Sequence, residues 1–171
     1  TTNSNSCDST ATLNLTINPL PTISAGLDKE ICIGNTIKLI GSGAVSYSWD
    51  NGISDGVAFT PTSTQTYTVT GTDGNSCDNT AQVTVTVNPL PQVVANATST
   101  VICAGETVTL TGSGATSYSW DNGVTNGIAF TPASTQTYTV IGTDGNVCVN
   151  TDTITVTVNP LPALTTIDGS V

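Results

Sequence analysis

Hydrophobic and polar side chains alternate over several short stretches of this chain. In residues 83–87, three valines are separated by two threonines, so the valines lie on one face of an extended segment. The same alternation recurs in the second half of the chain and at residues 13–17, 37–39, 47–49, 57–59 and 67–69. Alternation with a period of two is typical of a β-strand with one buried face. No segment has apolar residues at helical spacing, so the sequence predicts almost no helix.

Turn signals separate these short strands. Gly-Ser-Gly at 41–43, Asp-Asn-Gly at 50–52 and Asp-Gly-Asn at 73–75 are combinations that adopt tight-turn geometry. The strands between them are rich in Thr, Val and Ile, which suit a pleated and half-buried surface. About seven short strands joined by turns are typical of a two-sheet antiparallel sandwich. The sequence therefore predicts an all-β fold of this kind.

The stretch from residue 102 to residue 162 repeats a stretch that begins 71 positions earlier. Cys103 falls on Cys32, and Trp120 falls on Trp49. A fixed period of this length indicates tandem copies of one small domain. We therefore expect a terminal strand of a preceding repeat at 1–21, a first copy at 22–91, a second copy at 92–162 and the first strand of a following repeat at 163–171.

The sequence Asn-Pro-Leu-Pro follows a predicted last strand three times, at 18–21, 88–91 and 159–162. Its two prolines fix φ and remove amide donors, so neither a helix nor a central strand continues through it. The residues before each proline are pushed toward extended geometry. We expect each of these proline joints to be a short, stiff connector that strings the copies end to end.

Charge and hydropathy exclude two classes of partner. The net charge is −10, and the only basic residues are Lys29 and Lys38, so nothing neutralises the phosphates of a nucleic acid. No apolar run approaches the length of a membrane span, and no signal peptide is present, so we expect no membrane insertion. The acidic residues are spread over both copies, which favours repulsion between molecules over recognition of a basic partner.

Five cysteines occur, at positions 7, 32, 77, 103 and 148. Cys32 and Cys77 are 45 residues apart, as are Cys103 and Cys148, so we expect one disulfide within each copy. Cys7 then pairs with a partner upstream. A closed loop of this length contributes about 4 kcal/mol in the chain-entropy model. Free thiols and a metal or redox site are the alternatives, and the absence of His disfavours a metal. Disulfides predict an oxidising, extracellular compartment.

The sequence contains no recognisable catalytic cluster. Without His, a Ser, Thr or Cys nucleophile has only Lys or a carboxylate as its base, and both lysines lie in the first copy. We therefore expect neither an enzyme nor a lysine-based cross-link. Four aspartates recur at turns, where we expect them to cap the turn: Asp50, Asp121, Asp73 and Asp144. Binding of Ca²⁺ by these carboxylates is the alternative, although no Asp-x-Asp-x-Asp-Gly spacing exists, and no other cofactor is expected.

Some side chains have both a structural and a binding interpretation. We expect the recurring aromatic residues to form core rather than a sugar-binding platform: Tyr47, Trp49, Phe59 and Tyr67. Asn14 and Asn96 each begin an Asn-x-Thr sequence, which fits N-glycosylation. The outward threonines of the strands fit either O-glycosylation or simple strand preference.

The combined motifs resemble a known family. Ile-Cys-x-Gly-x-x-x-x-Leu, Ser-Tyr-Ser-Trp-Asp, Thr-Tyr-Thr-Val, Gly-Thr-Asp-Gly-Asn-x-Cys and Val-Thr-Val-Asn-Pro-Leu-Pro occur in both copies. They resemble the immunoglobulin-like and PKD-like repeats of large Bacteroidetes surface adhesins, some of them associated with gliding motility and exported by the type IX secretion route. The resemblance implies tandem immunoglobulin-like sandwiches that act as spacers and adhesive stalks without catalytic residues.

The resemblance also implies candidate O-glycosylation sites. Asp152-Thr153-Ile154 resembles the Asp-Ser/Thr-apolar acceptor of those bacteria, with Thr153 as the acceptor. Asp8-Ser9-Thr10 is a poorer match, with Ser9 as the acceptor. The partial copies at the two ends depart from the family pattern, as do the basic residues confined to the first copy.

Three functions follow from these patterns. The first is a structural segment of a cell-surface adhesin, stalk or filament, with neighbouring repeats or other copies as its partners. The second is an adhesive module that binds glycans or surface proteins. In a third, the chain is a complete subunit whose lone first and last strands complete its neighbours and build a fibre by strand addition.

Overall fold

The computed structural model describes residues 10–163, and this part of the chain is all-β. No residue in this range is helical, which confirms the predicted fold class, and none forms a helix that could cross a membrane. The strands are β1 (Lys29–Cys32), β2 (Ser46–Trp49), β3 (Gln65–Thr72), β4 (Asp78–Asn88), β5 (Val94–Ala97), β6 (Val101–Cys103), β7 (Val108–Ser113), β8 (Ser117–Trp120), β9 (Ala129–Phe130), β10 (Gln136–Thr143) and β11 (Val149–Asn159).

The second copy forms an immunoglobulin-like sandwich of seven strands. One sheet has four strands in the order β6-β11-β10-β8, and the other has three in the order β5-β7-β9. The pairs are antiparallel except for β6 and β11, which run parallel with Asn159 opposite Cys103. The parallel pair brings the end of β6 to the end of β11. This register decides where the cysteines lie.

The core of the second copy lies between its two sheets. Val108, Leu110, Val140 and Val156 are at most 1% exposed, and Trp120 and Tyr138 close the cluster around them. They come from the inward positions of alternating segments, as the sequence predicted. Full burial of a side chain of this size contributes roughly 1.5–3 kcal/mol. Burial of one face of each strand therefore holds the sheets together.

The first copy repeats the four-stranded sheet, in the order β1-β4-β3-β2. Its second sheet is reduced to two isolated bridges, Ser24 with Ser42 and Ile37 with Phe59. The predicted seven strands are thus fully formed only in the second copy. Near the first of these bridges Gly26 has a φ of +81°, a left-handed conformation that interrupts a strand after Ser24.

The described chain divides into two compact units. The first contains the described residues up to Lys29 together with Thr36–Phe59 and Thr66–Thr84. The second contains Glu30–Asn35, Thr60–Gln65 and the described residues from Val85 onward. Parts of the first sequence copy therefore belong to the second unit. The domain boundaries placed at the proline joints stay a prediction.

The predicted terminal strand at 1–21 is not formed in its described part. Residues 10–21 have no strand pairing, and Leu13, Leu15 and Ile17 are 90%, 81% and 85% exposed. A strand requires a neighbouring strand to satisfy its amides and carbonyls, and this segment has none among the described residues. The segment therefore presents an alternating apolar face to solvent.

The buried tyrosines predict a loss of stability at alkaline pH. Tyr67 and Tyr138 are each 3% exposed and pack edge-on against Phe59 and Phe130, with ring centroids 5.2 and 5.3 Å apart. Burial raises the pKa of both phenols above the ordinary value, and the negative charges of Asp50 and Asp121 add to the effect. A raised pKa in the folded state favours folding below the unfolded-state pKa of about 10 and loses that contribution as pH rises further.

The free energy of unfolding in urea should therefore fall between pH 9.5 and 11, as the unfolded tyrosines ionise first. The double variant Tyr67→Phe/Tyr138→Phe should show a shallower fall over the same range. Phenolate absorbance of the folded protein, followed in parallel, reports the ionisation directly. An unchanged slope in the double variant would contradict this account.

Candidate functional site: cysteines and turn side chains

A disulfide joins Cys32 to Cys148, with their Cα atoms 5.5 Å apart and a sequence separation of 116. The predicted pairing within each copy is therefore wrong. Cys32 belongs to the first sequence copy and Cys148 to the second, and both lie in the second compact unit. The bond connects the two copies and encloses the proline joint at 88–91.

The length of β11 explains why the second copy cannot close its own disulfide. Cys103 lies opposite Asn159 at one end of β11, whereas Cys148 directly precedes Val149 at the other end. The strand has 11 residues and rises about 3.3 Å per residue, so its ends are about 35 Å apart. A disulfide requires Cα atoms about 4.4–6.8 Å apart. The two cysteines of one copy are therefore at opposite ends of the same strand.

The first copy has the same arrangement. The amide of Ile33, directly after Cys32, donates to the carbonyl of Asn88 at 2.8 Å, just as Ala104 donates to Asn159 at 2.9 Å. Cys77 directly precedes β4, which also has 11 residues. The two cysteines of one copy are therefore 45 residues apart in sequence, but this spacing does not bring them close together in space.

Two cysteines remain unbridged among the described residues. Cys77 is half-buried and Cys103 is exposed. The backbone amides of both cysteines are hydrogen-bonded. The amide of Cys77 donates to Asp73 Oδ1 at 2.9 Å, and that of Cys103 donates to Glu106 Oε2 at 2.8 Å. Cys7, predicted to have a partner upstream, lies outside the described residues.

The recurring aspartates cap turns, as predicted. Asp144 Oδ1 accepts from the amides of Asn146 and Cys148, both at 2.9 Å, on either side of Val147. Val147 has a φ of +63°, which is uncommon for a β-branched residue, and the carboxylate holds the turn in this conformation. Asp73 makes the same pair of hydrogen bonds in the first copy.

The other pair of aspartates links turns to strands. Asp50 Oδ1 accepts from the amide of Thr68, and Asp121 Oδ1 accepts from that of Thr139, both at 3.0 Å. No group of three or more His, Cys, Asp or Glu side chains that could hold a metal ion occurs within the described residues. These carboxylates therefore stabilise turns by accepting backbone hydrogen bonds. Binding of Ca²⁺ stays an untested alternative.

Each tryptophan donates a partly buried hydrogen bond that the alternation pattern does not predict. Trp49 Nε1 donates to Asp55 Oδ1 at 2.9 Å, and Trp120 Nε1 donates to Asn126 Oδ1 at 3.0 Å. The same oxygens accept from the amides of Gly41 and Gly112, both at 2.7 Å. The two copies differ at this loop position, with Asp in the first and Asn in the second. In the structure both residues supply one inward oxygen.

The aromatic residues predicted to form core do so. Trp49 is 7% exposed and Tyr67 is 3% exposed, with Phe59 against the Tyr67 ring. Tyr47 is half-buried, and its hydroxyl donates to the carbonyl of Ala44 at 2.8 Å. No exposed aromatic platform for a sugar is formed by these four residues.

The candidate glycosylation residues have the exposure that modification requires. Asn14 and Asn96 are exposed, Thr153 is exposed on β11, and Ser9 lies outside the described residues. Asp152 Oδ2 accepts from the amide of Ala95 at 2.8 Å, and this hydrogen bond holds the pKa of Asp152 below its usual value. Glycosylation itself stays a prediction.

Outward threonines hydrogen-bond across strands. The hydroxyls of Thr66 and Thr84 lie 3.2 Å apart, and those of Thr137 and Thr155 lie 2.8 Å apart. Cross-strand pairs of this kind contribute roughly 0.2–1 kcal/mol each. The threonine rows therefore have a structural role in the sheets.

Comparison with known proteins identifies no family. No protein-family model matches the chain, and no curated protein matches it. Among solved structures, it is similar to Drosophila N-cadherin EC1-4, at 11% identity and a TM-score of 0.32, covering 84% of this chain and 50% of that one. It is also similar to the extracellular cadherin domains 1–4 of protocadherin gamma B7, at 12% identity and a TM-score of 0.29, covering 81% and 49%. The chain spans about half the length of these structures.

The tryptophan hydrogen bonds give a matched pair of variants. Asn126→Ala should lower the free energy of unfolding by about 2 kcal/mol, because the Trp120 and Gly112 donors lose their shared acceptor. Asp55→Asn should change it by less than about 1 kcal/mol, because it reproduces the arrangement of the second copy. Urea unfolding followed by tryptophan fluorescence measures both. Equal effects of the two substitutions would refute the assigned role.

Proposed function

We propose that this chain is a repeat segment of an extracellular bacterial surface adhesin, stalk or filament, and that it acts as a disulfide-locked spacer. The observation that carries the proposal is the Cys32–Cys148 bond, which joins the two sequence copies and encloses their proline joint. The family resemblance of the repeats supports the bacterial surface origin. Gliding motility and type IX export rest on that resemblance alone.

The position of the bond determines which residues carry a load. A force on the two ends of the chain follows the shortest covalent path, from the N-terminal segment to Cys32, across the sulfurs, and from Cys148 onward. Residues 33–147 lie off this path, and they include every strand from β2 to β10. A pull therefore cannot draw these strands out while the bond is intact. This is a useful property in a spacer under tension.

The joint is also held by polar contacts. Asn150 Nδ2 donates to the carbonyl of Pro91 at 2.9 Å, and Pro91 is buried. Asn79 Nδ2 makes the same hydrogen bond to Pro21 at 2.9 Å. Prolines with fixed φ and an anchored carbonyl limit the conformations of the connector. These contacts support a stiff joint over a flexible hinge.

The disulfide supports an extracellular location, because such bonds form and persist in oxidising compartments. Closing a loop of 116 residues contributes about 5 kcal/mol in the chain-entropy model. Losing this contribution in a reducing compartment would weaken the array substantially. The proposed spacer function therefore requires an oxidising, extracellular compartment.

Single-molecule stretching tests the spacer proposal. Cys32→Ser should add about 400 Å to the length released on unfolding, since 116 residues of about 3.5 Å each become extensible. Cys77→Ser is the matched control and should add nothing. Disulfides within each copy would instead make the two substitutions equivalent, each releasing about 160 Å. That outcome would overturn the proposed load path.

A fibre built by strand addition is a second candidate, and one observation favours it. Leu13, Leu15 and Ile17 form an alternating apolar face that is at least 81% exposed. An exposed strand face of this kind is suited to pairing with another sheet edge. The triple variant Leu13→Ser/Leu15→Ser/Ile17→Ser should abolish any oligomers that the reduced chain forms in light scattering. Oligomers that persist in this variant would exclude strand addition through this face.

A further inference from the structure

The bridged pair and the unbridged pair of cysteines are the same positions one repeat apart. Cys103 is the counterpart of Cys32, and Cys77 is the counterpart of Cys148, each displaced by 71 residues. Cys32 and Cys148 are bonded, whereas Cys77 and Cys103 have no bridge among the described residues. Each unbridged cysteine therefore lies where its counterpart makes a bond to another copy.

The side chains of the unbridged cysteines are more exposed than those of their bridged counterparts. Cys148 is fully buried, whereas Cys77 is only half-buried. Cys103 is exposed, whereas Cys32 is half-buried. The same residue types are covered where the bond exists and uncovered where it does not.

The segment that carries Cys103 lines an open depression. Val101, Ile102, Gly105, Glu106 and Thr107 form its walls, together with Ser99. The counterpart segment in the first copy, Glu30–Asn35, is packed into the second compact unit together with Cys148. Because the Cys32–Cys148 bond holds the turn before β11 against the Glu30–Asn35 segment, a repeated joint would bring a Cys148-type turn to the segment that carries Cys103, beside this depression.

We propose that Cys103 of one copy and Cys77 of another form a head-to-tail disulfide, which repeats the Cys32–Cys148 joint between successive copies. The occupant of the Cys103 surface is thus a further copy of this repeat, presenting the turn at Asp73–Cys77. This inference extends the proposed spacer into a continuous covalent array. Each copy bonds to both neighbours through cysteines at opposite ends of its last strand.

The bond forms by thiol–disulfide exchange with a small disulfide such as oxidised glutathione. The Cys103 thiolate attacks the oxidant, forms a mixed disulfide and releases one glutathione thiolate. The Cys77 thiolate then attacks the protein sulfur of this mixed disulfide and releases the second glutathione. Two protein thiols are oxidised and one glutathione disulfide is reduced, and the two protons that leave the protein thiols are taken up by the two glutathione thiolates, so no net proton is released.

The first experiment uses separate chains in a Cys7→Ser background, so that Cys7 cannot take part. A Cys77→Ser chain and a Cys103→Ser chain are mixed in equal amounts and oxidised with glutathione disulfide. Random collision would give the mixed dimer and the two like dimers in equal total amounts. Docking predicts a mixed dimer in about tenfold excess for about 1.4 kcal/mol of preference. Mass spectrometry should locate its bond at Cys103–Cys77, and a random product distribution would count against docking between separate chains.

The second experiment supplies the neighbour in the same polypeptide, where its effective concentration is high. A third copy, identical to residues 92–162, is added after Pro162. Peptide mapping should then find Cys103 bonded to the Cys148 counterpart of the added copy. A Cys103 that stays reduced there, while Cys32–Cys148 forms, would overturn the proposal and leave the spacer function standing. Success only in this arm would assign the joint to repeats of one chain, and success in both would add assembly between chains.

Discussion

The structure depends on one geometric constraint, the length of the last strand of each copy. β11 runs the full height of its sandwich, and the parallel pairing with β6 places Cys103 at its far end. Cys148 lies at its near end, beside the turn capped by Asp144. Two sulfurs that are separated by a rigid strand cannot meet. A disulfide from either cysteine must therefore reach outside its own copy, as the observed bond between Cys32 and Cys148 does.

The sandwich itself is held by other interactions. The second copy has a closed cluster around Leu110 and Val140, and its Trp120 indole is hydrogen-bonded to Asn126. A domain of this size has a thin core, so each such contact is a large share of a small total. The disulfide adds to this total without crossing between the two sheets of one copy. Its effect is concentrated at the joint, where the proline-rich connector would otherwise set the freedom between copies.

Much of the fold follows from the sequence, because alternation and turn chemistry are local signals. The valines of β4 and β11, the buried tryptophans and the capping role of Asp73 and Asp144 were all predictable from spacing alone. The incomplete second sheet of the first copy was not, because the pattern gives no signal for the left-handed conformation of Gly26 beside Ser24 or for the reduced pairing of Ile37 with Phe59. Nor was the shared inward role of Asp55 and Asn126, since a loop difference gives no indication of direction.

The cysteine pairing shows most clearly where local reasoning ends. The equal spacing of 45 residues in both copies is compatible with disulfides within each copy, and it is equally compatible with disulfides between copies. Only the register of β6 against β11 distinguishes these two disulfide patterns. The two strands are separated in sequence by most of the sandwich, so their parallel pairing has no local sequence signal. The proposed spacer owes its mechanical character to this difference. Bonds within copies would protect each sandwich and leave the joints free, whereas bonds between copies make each joint the covalently secured element. In such an array the stability of a copy includes the interface with its neighbour, as in other repeat proteins, and a copy that lacks a neighbour has an unsatisfied thiol at that end.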